Sequence, residues 1–331
     1  MTLPHPVLLA DIGGTYARFS VLPEAGGRPG PIWKVPTTGF PGPVEAIRAF
    51  LDRQDGVRPC SAFLAVAGRI ACGITHMTNA PWRFDLGEIG VAFGLEAVRL
   101  VNDYVPLAAA LTVLDADKPS DLVRIGQAVD GTGPRLVLGP GTGLGAAALI
   151  PAGDRLLIQT TEAGHVGFGA CEPDDGLPWS ALMAAEGRLT AETLLSGPGL
   201  VRLVRALATA PGVAVSWTLP AEVLDGAKSD PIAREAVHQF ARLLGRFAGD
   251  MALVFSATGG VFLAGGIAPR IVDILRGGEF GPSFEDKAPF REAMRAIPRA
   301  VILRPEPAVD GLAAILARAD RFLFPGQDWR A

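Results

Sequence analysis

Two aspartates stand where apolar runs end, and each is followed by residues suited to a charged or hydroxylated ligand. Asp11 closes the run 7–10 and is followed by Gly13, Gly14 and Thr15. A turn without Cβ atoms lets backbone N–H groups approach a bulky anion, while the carboxylate faces a hydrated cation. Ala17, Phe19 and Val21 then alternate with Arg18, Ser20 and Leu22, so the segment reads strand, tight turn, strand. A second turn of this kind follows about 130 residues later, where the run 135–138 enters Gly139, Gly141, Thr142, Gly143 and Gly145. Two such turns suggest two related halves gripping one polyphosphate. No G-x-x-x-x-G-K-[ST] occurs, which excludes a P-loop. Residues 141–146 fit only the loose dinucleotide pattern ending in Ala, and Pro151 leaves too little room for the helix it should open. Glu162 does stand at the ribose-binding spacing, so a dinucleotide site stays open on spacing alone, as does a plain hairpin at either turn.

The second aspartate, Asp103, follows Asn102 at the end of the run 98–101. Ligands of α/β sheets bind beyond the carboxyl ends of strands, where a carboxylate can take a proton from a substrate hydroxyl. The same pair also makes a good turn or helix N-cap ahead of Pro106. Glu162 and His165 are three apart, a metal-binding spacing on a helix, but Gly164 and Gly167 argue against a helix and no third ligand is near. They read as a polar binding loop or as an ordinary surface pair. Asn79, in the turn 77–82, offers an amide to a ligand hydroxyl or caps its turn. Gly265 and Gly266 follow the strand 261–264, where bare backbone can accept an adenine ring or a close structural contact.

The chain that must position these groups has 331 residues, enough for two domains. It is 49% hydrophobic and 19% charged, with 41 glycines and 28 prolines, a composition that fills a large core and many turns. A net charge of −4 with scattered basic residues favours neither nucleic acid nor an anionic membrane. Residues 1–11 carry no basic n-region or cleavage site, and the reading is of no signal peptide. The uncharged stretch 251–269 reads as a buried helix end, a glycine turn and a buried strand rather than a membrane span. Cys60, Cys72 and Cys171 form no C-x-x-C, which fits a reduced, cytoplasmic protein. Helices are predicted near 43–53, 106–114, 178–195, 199–208, 230–255 and 310–322, with further strands at 62–67, 98–101, 261–264 and 301–303 and a polar link over 116–134.

Taken in order, these segments resemble the bacterial ATP-dependent glucokinases of the hexokinase–actin superfamily, over nearly the whole chain. The motifs are Asp11 to Thr15, Met77 to Asn79, Asn102-Asp103, Gly139 to Gly145, Glu162 to Val166 and Ser196 to Leu200. Gly245 to Phe247, Gly259 to Phe262, Ala264 to Arg270 and Phe284 to Lys287 complete the set. Each is weak alone, and their joint order is specific. The resemblance implies an α/β, two-domain actin-like ATPase (ribonuclease H-like) fold with an interdomain active-site cleft, residues 1–105 plus 311–331 forming a small domain and 106–310 a large one. It implies ATP, Mg²⁺ and glucose, with Asp103 as general base toward the sugar 6-hydroxyl. Asn79, Asn102, Glu162 and His165 would bind other sugar hydroxyls. Gly13, Gly14, Thr15, Gly141, Thr142 and Gly143 would hold phosphates, Gly265 and Gly266 would lie beside the adenosine, and Asp11 would face the metal through water. A cytoplasmic homodimer is the family's expectation.

The chain departs from that pattern in places. Tyr16 replaces an Asn after the first turn, Ala80 a His after Asn79, and Gly167 an Asp after Val166. The family's additional sugar-binding Glu, counted from Ser196, falls on Ala185, and a one-residue gap gives Glu186. The zinc-binding cysteine cluster of the related repressor–kinases is absent. The competing readings are a kinase for another hexose or hexosamine, and a non-catalytic sugar-binding regulator derived from a kinase.

Overall fold

The computed structural model describes residues 3–54, 56–70, 73–78, 80–126, 131–171, 177–209 and 216–331, so Asn79 and Cys72 lie outside the described residues. The first part of the chain runs β1 (Val7–Ile12), β2 (Tyr16–Leu22), β3 (Trp33–Pro36), α1 (Pro43–Leu51), β4 (Ser61–Val66), β5 (Thr75–His76), β6 (Arg83–Phe84), α2 (Leu86–Phe93), β7 (Ala97–Asn102) and α3 (Tyr104–Ala110). Next come β8 (Leu122–Arg124), β9 (Arg135–Pro140), β10 (Leu144–Ala152) and β11 (Arg155–Thr161). Helices α4 (Trp179–Glu186), α5 (Ala191–Leu194), α6 (Gly197–Thr209), α7 (Pro220–Gly226) and α8 (Pro231–Val254) follow. The remainder is β12 (Gly260–Leu263), α9 (Val272–Gly277), α10 (Phe280–Glu285), α11 (Arg291–Arg295), β13 (Arg299–Ile302), α12 (Pro307–Ala317), β14 (Phe322–Leu323) and β15 (Gln327–Arg330).

One sheet has the order β15-β7-β4-β1-β2-β3 and another β14-β11-β10-β9-β12-β13-β8. In the first, β1 pairs antiparallel with β2 and parallel with β4, and β4 pairs parallel with β7. In the second, β9 pairs parallel with β12 and β12 with β13. The short β9–β10 connection requires an antiparallel pair. The central order, hairpin then parallel strands, is therefore the same in both sheets, as the repeated glycine turns suggest. Both faces of β1 and β4 are buried, which explains their unbroken apolar runs.

The chain groups into two compact units, one of Met1–Asp115, Leu149–Thr160 and Arg304–Ala331, the other of Ala116–Ala148 and Thr161–Leu303. Helices α3 and α12 pack together in the first, which carries its boundaries past 105 and back to 304. Phe19, Phe50, Trp82 and Phe84 lie in the core of the first unit, and Phe240, Phe247, Phe280 and Phe284 in that of the second. Helix α8 fills its predicted span because Asp230 caps it, accepting the N–H of Ile232 and of Ala233 at 2.8 and 2.9 Å, with Pro231 at the first position. Among the described residues no helix is long and apolar enough to cross a membrane. The stretch 251–269 resolves into the end of α8, a turn and β12.

Several elements differ from the sequence reading. Helix α2, capped by Asp85, and the short strand β8 lie where no element was expected. Helix α3 starts at Tyr104, two residues before Pro106. The helix expected over 178–195 breaks into α4 and α5, because Gly187 takes a φ of +74° and Thr190 starts a new capping box. The last helix is α12, and the chain beyond it adds β14 and β15. Strand β15 pairs antiparallel with β7, and Asp328 holds Arg99 at 2.7 Å.

Candidate active site

In the first unit the carboxyl ends of three adjacent strands meet through the segment 66–68. The Ala67 N–H donates to Ile12 O at 2.9 Å, and the Asp103 N–H to Val66 O at 3.1 Å. The Thr78 N–H donates to Ala67 O at 3.3 Å, and the Asn102 side chain to Gly68 O at 3.2 Å. Parallel pairing of β1, β4 and β7 thus brings the Asp11 turn, the Asn102-Asp103 pair and the start of the 77–82 loop to one corner. Asn79 itself lies outside the described residues.

The Asn–Asp ambiguity resolves by division of labour. Asn102 Oδ1 accepts the Tyr104 N–H at 2.9 Å and so caps α3, whereas the Asp103 side chain makes no capping bond. An amide has two N–H donors and two lone pairs. Asn102 uses one of each on backbone, which leaves one of each for a ligand.

The first turn links β1 to β2 so that Asp11 and Arg18 stand directly opposite each other. Arg18 Nη1 lies 3.3 Å from Asp11 Oδ2, and its Nε is held by Glu306. The Asp11 side chain is 14% exposed. Burial pushes its carboxyl up to about 6, an effect that Arg18 opposes and Glu306 reinforces. Buried Thr37 braces the turn, donating its Oγ1 to Gly13 O and its N–H to Thr15 O, both at 2.9 Å.

In the second unit the Gly141–Gly143 turn is braced by the start of α6, where the Gly197 N–H donates to Gly141 O at 2.8 Å. In each turn one glycine N–H already has a backbone acceptor. The Gly13 N–H is spent on Tyr16 O at 2.9 Å and the Gly141 N–H on Gly143 O at 2.8 Å. These two hydrogen bonds give shape to their turns.

Glu162 and His165 flank a single 3₁₀ turn over Ala163–His165. Their side chains, 64% and 50% exposed, are 3.9 Å apart, too far for a hydrogen bond. A Cβ on Gly164 would come within 2.2 Å of Leu144 O, so this turn packs on the first residue of β10. The Leu144 N–H in turn donates to Glu192 Oε2 at 2.7 Å. Glu192 therefore holds the residue against which the Glu162–His165 turn packs. Glu186 lies at the end of α4 and pairs with Arg202 at 2.9 Å. Glu192 stands after the helix break, four residues before Ser196. Its local signal is the capping-box Thr190 two residues earlier.

The Gly265–Gly266 pair divides in the same way. Gly265 has a φ of +84°, and a Cβ there would lie 2.5 Å from Pro140 O, whereas a Cβ on Gly266 meets nothing within 4 Å. The departures from the family pattern also find places. The Tyr16 ring is 41% exposed and lies under the Lys34 ammonium, 4.9 Å from the ring centroid. Ala80 packs on the core of the first unit, and Gly167 bridges Thr190.

A family model described as Glucokinase matches residues 8–319. A glucokinase of Sinorhizobium fredii is 42% identical over 98% of this chain and 97% of its own length. One from Mesorhizobium japonicum is 40% identical over 100% and 97%. Among solved structures, a glucokinase from an Antarctic psychrotroph aligns with a TM-score of 0.80 and 30% identity, covering 94% of this chain and 98% of that one. A ROK-family glucokinase from Streptomyces griseus, solved with glucose and AMPPNP, shares the fold at a TM-score of 0.65 and 23% identity, covering 95% and 99%.

Proposed function

Because the chain belongs to the glucokinase family, with the actin-like ATPase fold of its structural relatives, we propose that it transfers the γ-phosphoryl group of ATP to the 6-hydroxyl of glucose with Asp103 as general base. The observation that carries this reading is the corner built on residues 66–68. It joins the strand end of the Asp11 turn to Asp103 and to the loop leading to Asn79.

In this reading Asp103 accepts the proton of the 6-hydroxyl as that oxygen attacks the γ-phosphorus, and ADP leaves. Phosphoryl transfer is mostly positioning and charge stabilisation, so an ordinary carboxylate suffices. Asn102 turns its remaining N–H and lone pair to the sugar, and Asn79 binds a further hydroxyl. Glu162 and His165 bind other hydroxyls, with Glu192 rather than Glu186 as the additional acid, because Glu192 holds Leu144, the residue their turn packs on, whereas Glu186 pairs with Arg202. A sugar lacking a matching hydroxyl leaves such groups unpaired, which is the basis of selection. The nucleotide phosphates take N–H groups from Gly14, Thr15, Thr142 and Gly143, and the adenosine lies on the open side of Gly266.

Among the described residues no three His, Cys, Asp or Glu side chains gather into a metal-ligand set. A single hard carboxylate, Asp11, suits Mg²⁺ as that ion is held beside nucleotides, through water and phosphate oxygens. When bound, Mg²⁺ neutralises charge on the phosphates.

The test is ADP formation with Mg-ATP across glucose, mannose, fructose, glucosamine, N-acetylglucosamine and no sugar, for wild type and Asp103→Asn. Turnover mainly with glucose, reduced at least ~10²-fold in kcat by a folded Asp103→Asn protein, is expected. Preference for another sugar moves the substrate. Near-normal turnover in the variant removes Asp103 as base, and no turnover with any sugar supports a non-catalytic regulator.

A further inference from the structure

A line of alternating charge runs away from the first turn in directions the proposed chemistry does not use. Asp11 meets Arg18, Arg18 meets Glu306, Glu306 Oε1 meets Lys34 Nζ at 3.0 Å, and Lys34 lies over the Tyr16 ring. All five residues belong to the first unit. Register explains the near end: Asp11 faces Arg18 across β1–β2, and Arg18 faces Lys34 across β2–β3. The far end is unusual. Glu306 sits at the N-cap of α12 with a φ of +48° and ψ of +52°, and its side chain makes no capping bond. Left-handed backbone is disfavoured for a glutamate and persists only where its surroundings fix it. Here it aims the carboxylate at β2 and β3 instead of at its own helix.

We propose that Glu306 is a positioning residue for the nucleotide site, holding the Arg18 guanidinium between two carboxylates so that Asp11 stays open to the hydrated cation of a Mg-nucleotide. This rests on the kinase reading above. Arg18 has one positive charge to share. Glu306 holds its Nε while Nη1 stands 3.3 Å from Asp11 Oδ2. Without Glu306 the whole guanidinium is free to form a two-bonded pair with Asp11, the preferred arrangement of Arg with a carboxylate. The cation then competes with Arg18 for the same oxygens. Lys34 acts with the opposite sign, because it draws Glu306 away from Arg18. Tyr16, in the position where the family has Asn, gives Lys34 an aromatic face to rest on.

The experiment is calorimetric ADP binding to the full chain with and without Mg²⁺, and the quantity read is the affinity gain due to Mg²⁺. In Glu306→Gln the gain is expected to shrink roughly threefold or more, the range for coupled neighbours, while ADP affinity without Mg²⁺ and glucose affinity stay within about twofold. Glu306→Asn tolerates the left-handed backbone and gives the same loss if the Gln variant does not fold. Lys34→Met leaves the gain undiminished. An unchanged gain in the Glu306 variants overturns the inference, as does an equal loss in all three accompanied by lower melting temperatures, which marks a merely structural corner. Wild type with no Mg²⁺-dependent ADP binding overturns the kinase reading itself, and this inference with it.

Discussion

Gly265 and Gly266 are identical neighbours in sequence, and their substitution by Ala should give opposite failures. At Gly265 the methyl group meets two costs. A φ of +84° lies at the edge of what an L side chain adopts, about 1–2 kcal/mol for a left-handed residue. Its Cβ would also lie 2.5 Å from Pro140 O and 3.1 Å from Pro140 C. Those are backbone atoms at the end of β9, so they yield only if the strand end moves, about 1–2 kcal/mol on the scale of overpacking. The total, about 2–4 kcal/mol, corresponds to roughly 5–15 °C in melting temperature for a unit of this size. At Gly266 neither cost applies, since φ is not positive and nothing lies within 4 Å. Gly266→Ala should melt within about 2 °C of wild type but place a methyl group where the adenosine is proposed to lie. Losing one such contact raises the KM for ATP about 5- to 30-fold, with the KM for glucose unchanged. The assays are scanning calorimetry and steady-state kinetics at saturating glucose. A Gly265→Ala protein as stable as wild type refutes the steric argument. A Gly266→Ala protein with a normal KM for ATP refutes the placement of the nucleotide.

Asp11→Asn should stabilise the fold at pH 7.5. The folded carboxyl is raised to about 6 from 3.8, chiefly by burial, so its contribution to stability is full below pH 4 and lost as pH rises through 6. Two pH units at about 1.4 kcal/mol each make the charged form cost about 3 kcal/mol. The melting advantage of Asp11→Asn over wild type should close between pH 6.5 and 4, and a pH-independent gap would show that burial of charge is not its cause. Glu192→Gln should raise the KM for glucose at least ~10-fold, whereas Glu186→Gln, which loosens only the half-buried pair with Arg202, should change it less than ~3-fold. The reverse order would return the sugar role to Glu186.

The parts of this site legible in the sequence are those written in local pattern. An apolar run that stops at Asp11 or Asn102 reads as a strand ending in polar residues, and a glycine turn between two apolar runs reads as a hairpin. The 24-residue α8 announces itself by its cap and its period. What stayed hidden depends on partners far away in the chain. Nothing near Asn102-Asp103 says which of the two caps α3, because both are good caps, and the answer comes from Gly68 taking the Asn102 amide. Counting back from Ser196 falls on Ala185 and gives Glu186 only with a one-residue gap, and Gly187 ends the helix between Glu186 and Glu192. Glu306 and Arg18 are 288 residues apart, and no periodicity connects them. The strands β8, β14 and β15 are two to four residues long, too short for alternation to register.

The two braces bear on how a hairpin turn would serve as the proposed anion site. A tight turn carries carbonyl oxygens as well as N–H groups, and an outward carbonyl would repel a phosphate. In the first turn Thr37 ties down the carbonyls of both Gly13 and Thr15. In the second the N–H of Gly197, at the start of α6, ties down the carbonyl of Gly141. In each case the brace comes from outside the hairpin and takes up carbonyls of the turn. A turn held in this way before a ligand arrives would need little reorganisation as charge develops, the condition under which backbone dipoles are most effective. The glycines alone do not make the site. Thr37 and Gly197 do as much, and neither belongs to a glycine–threonine turn.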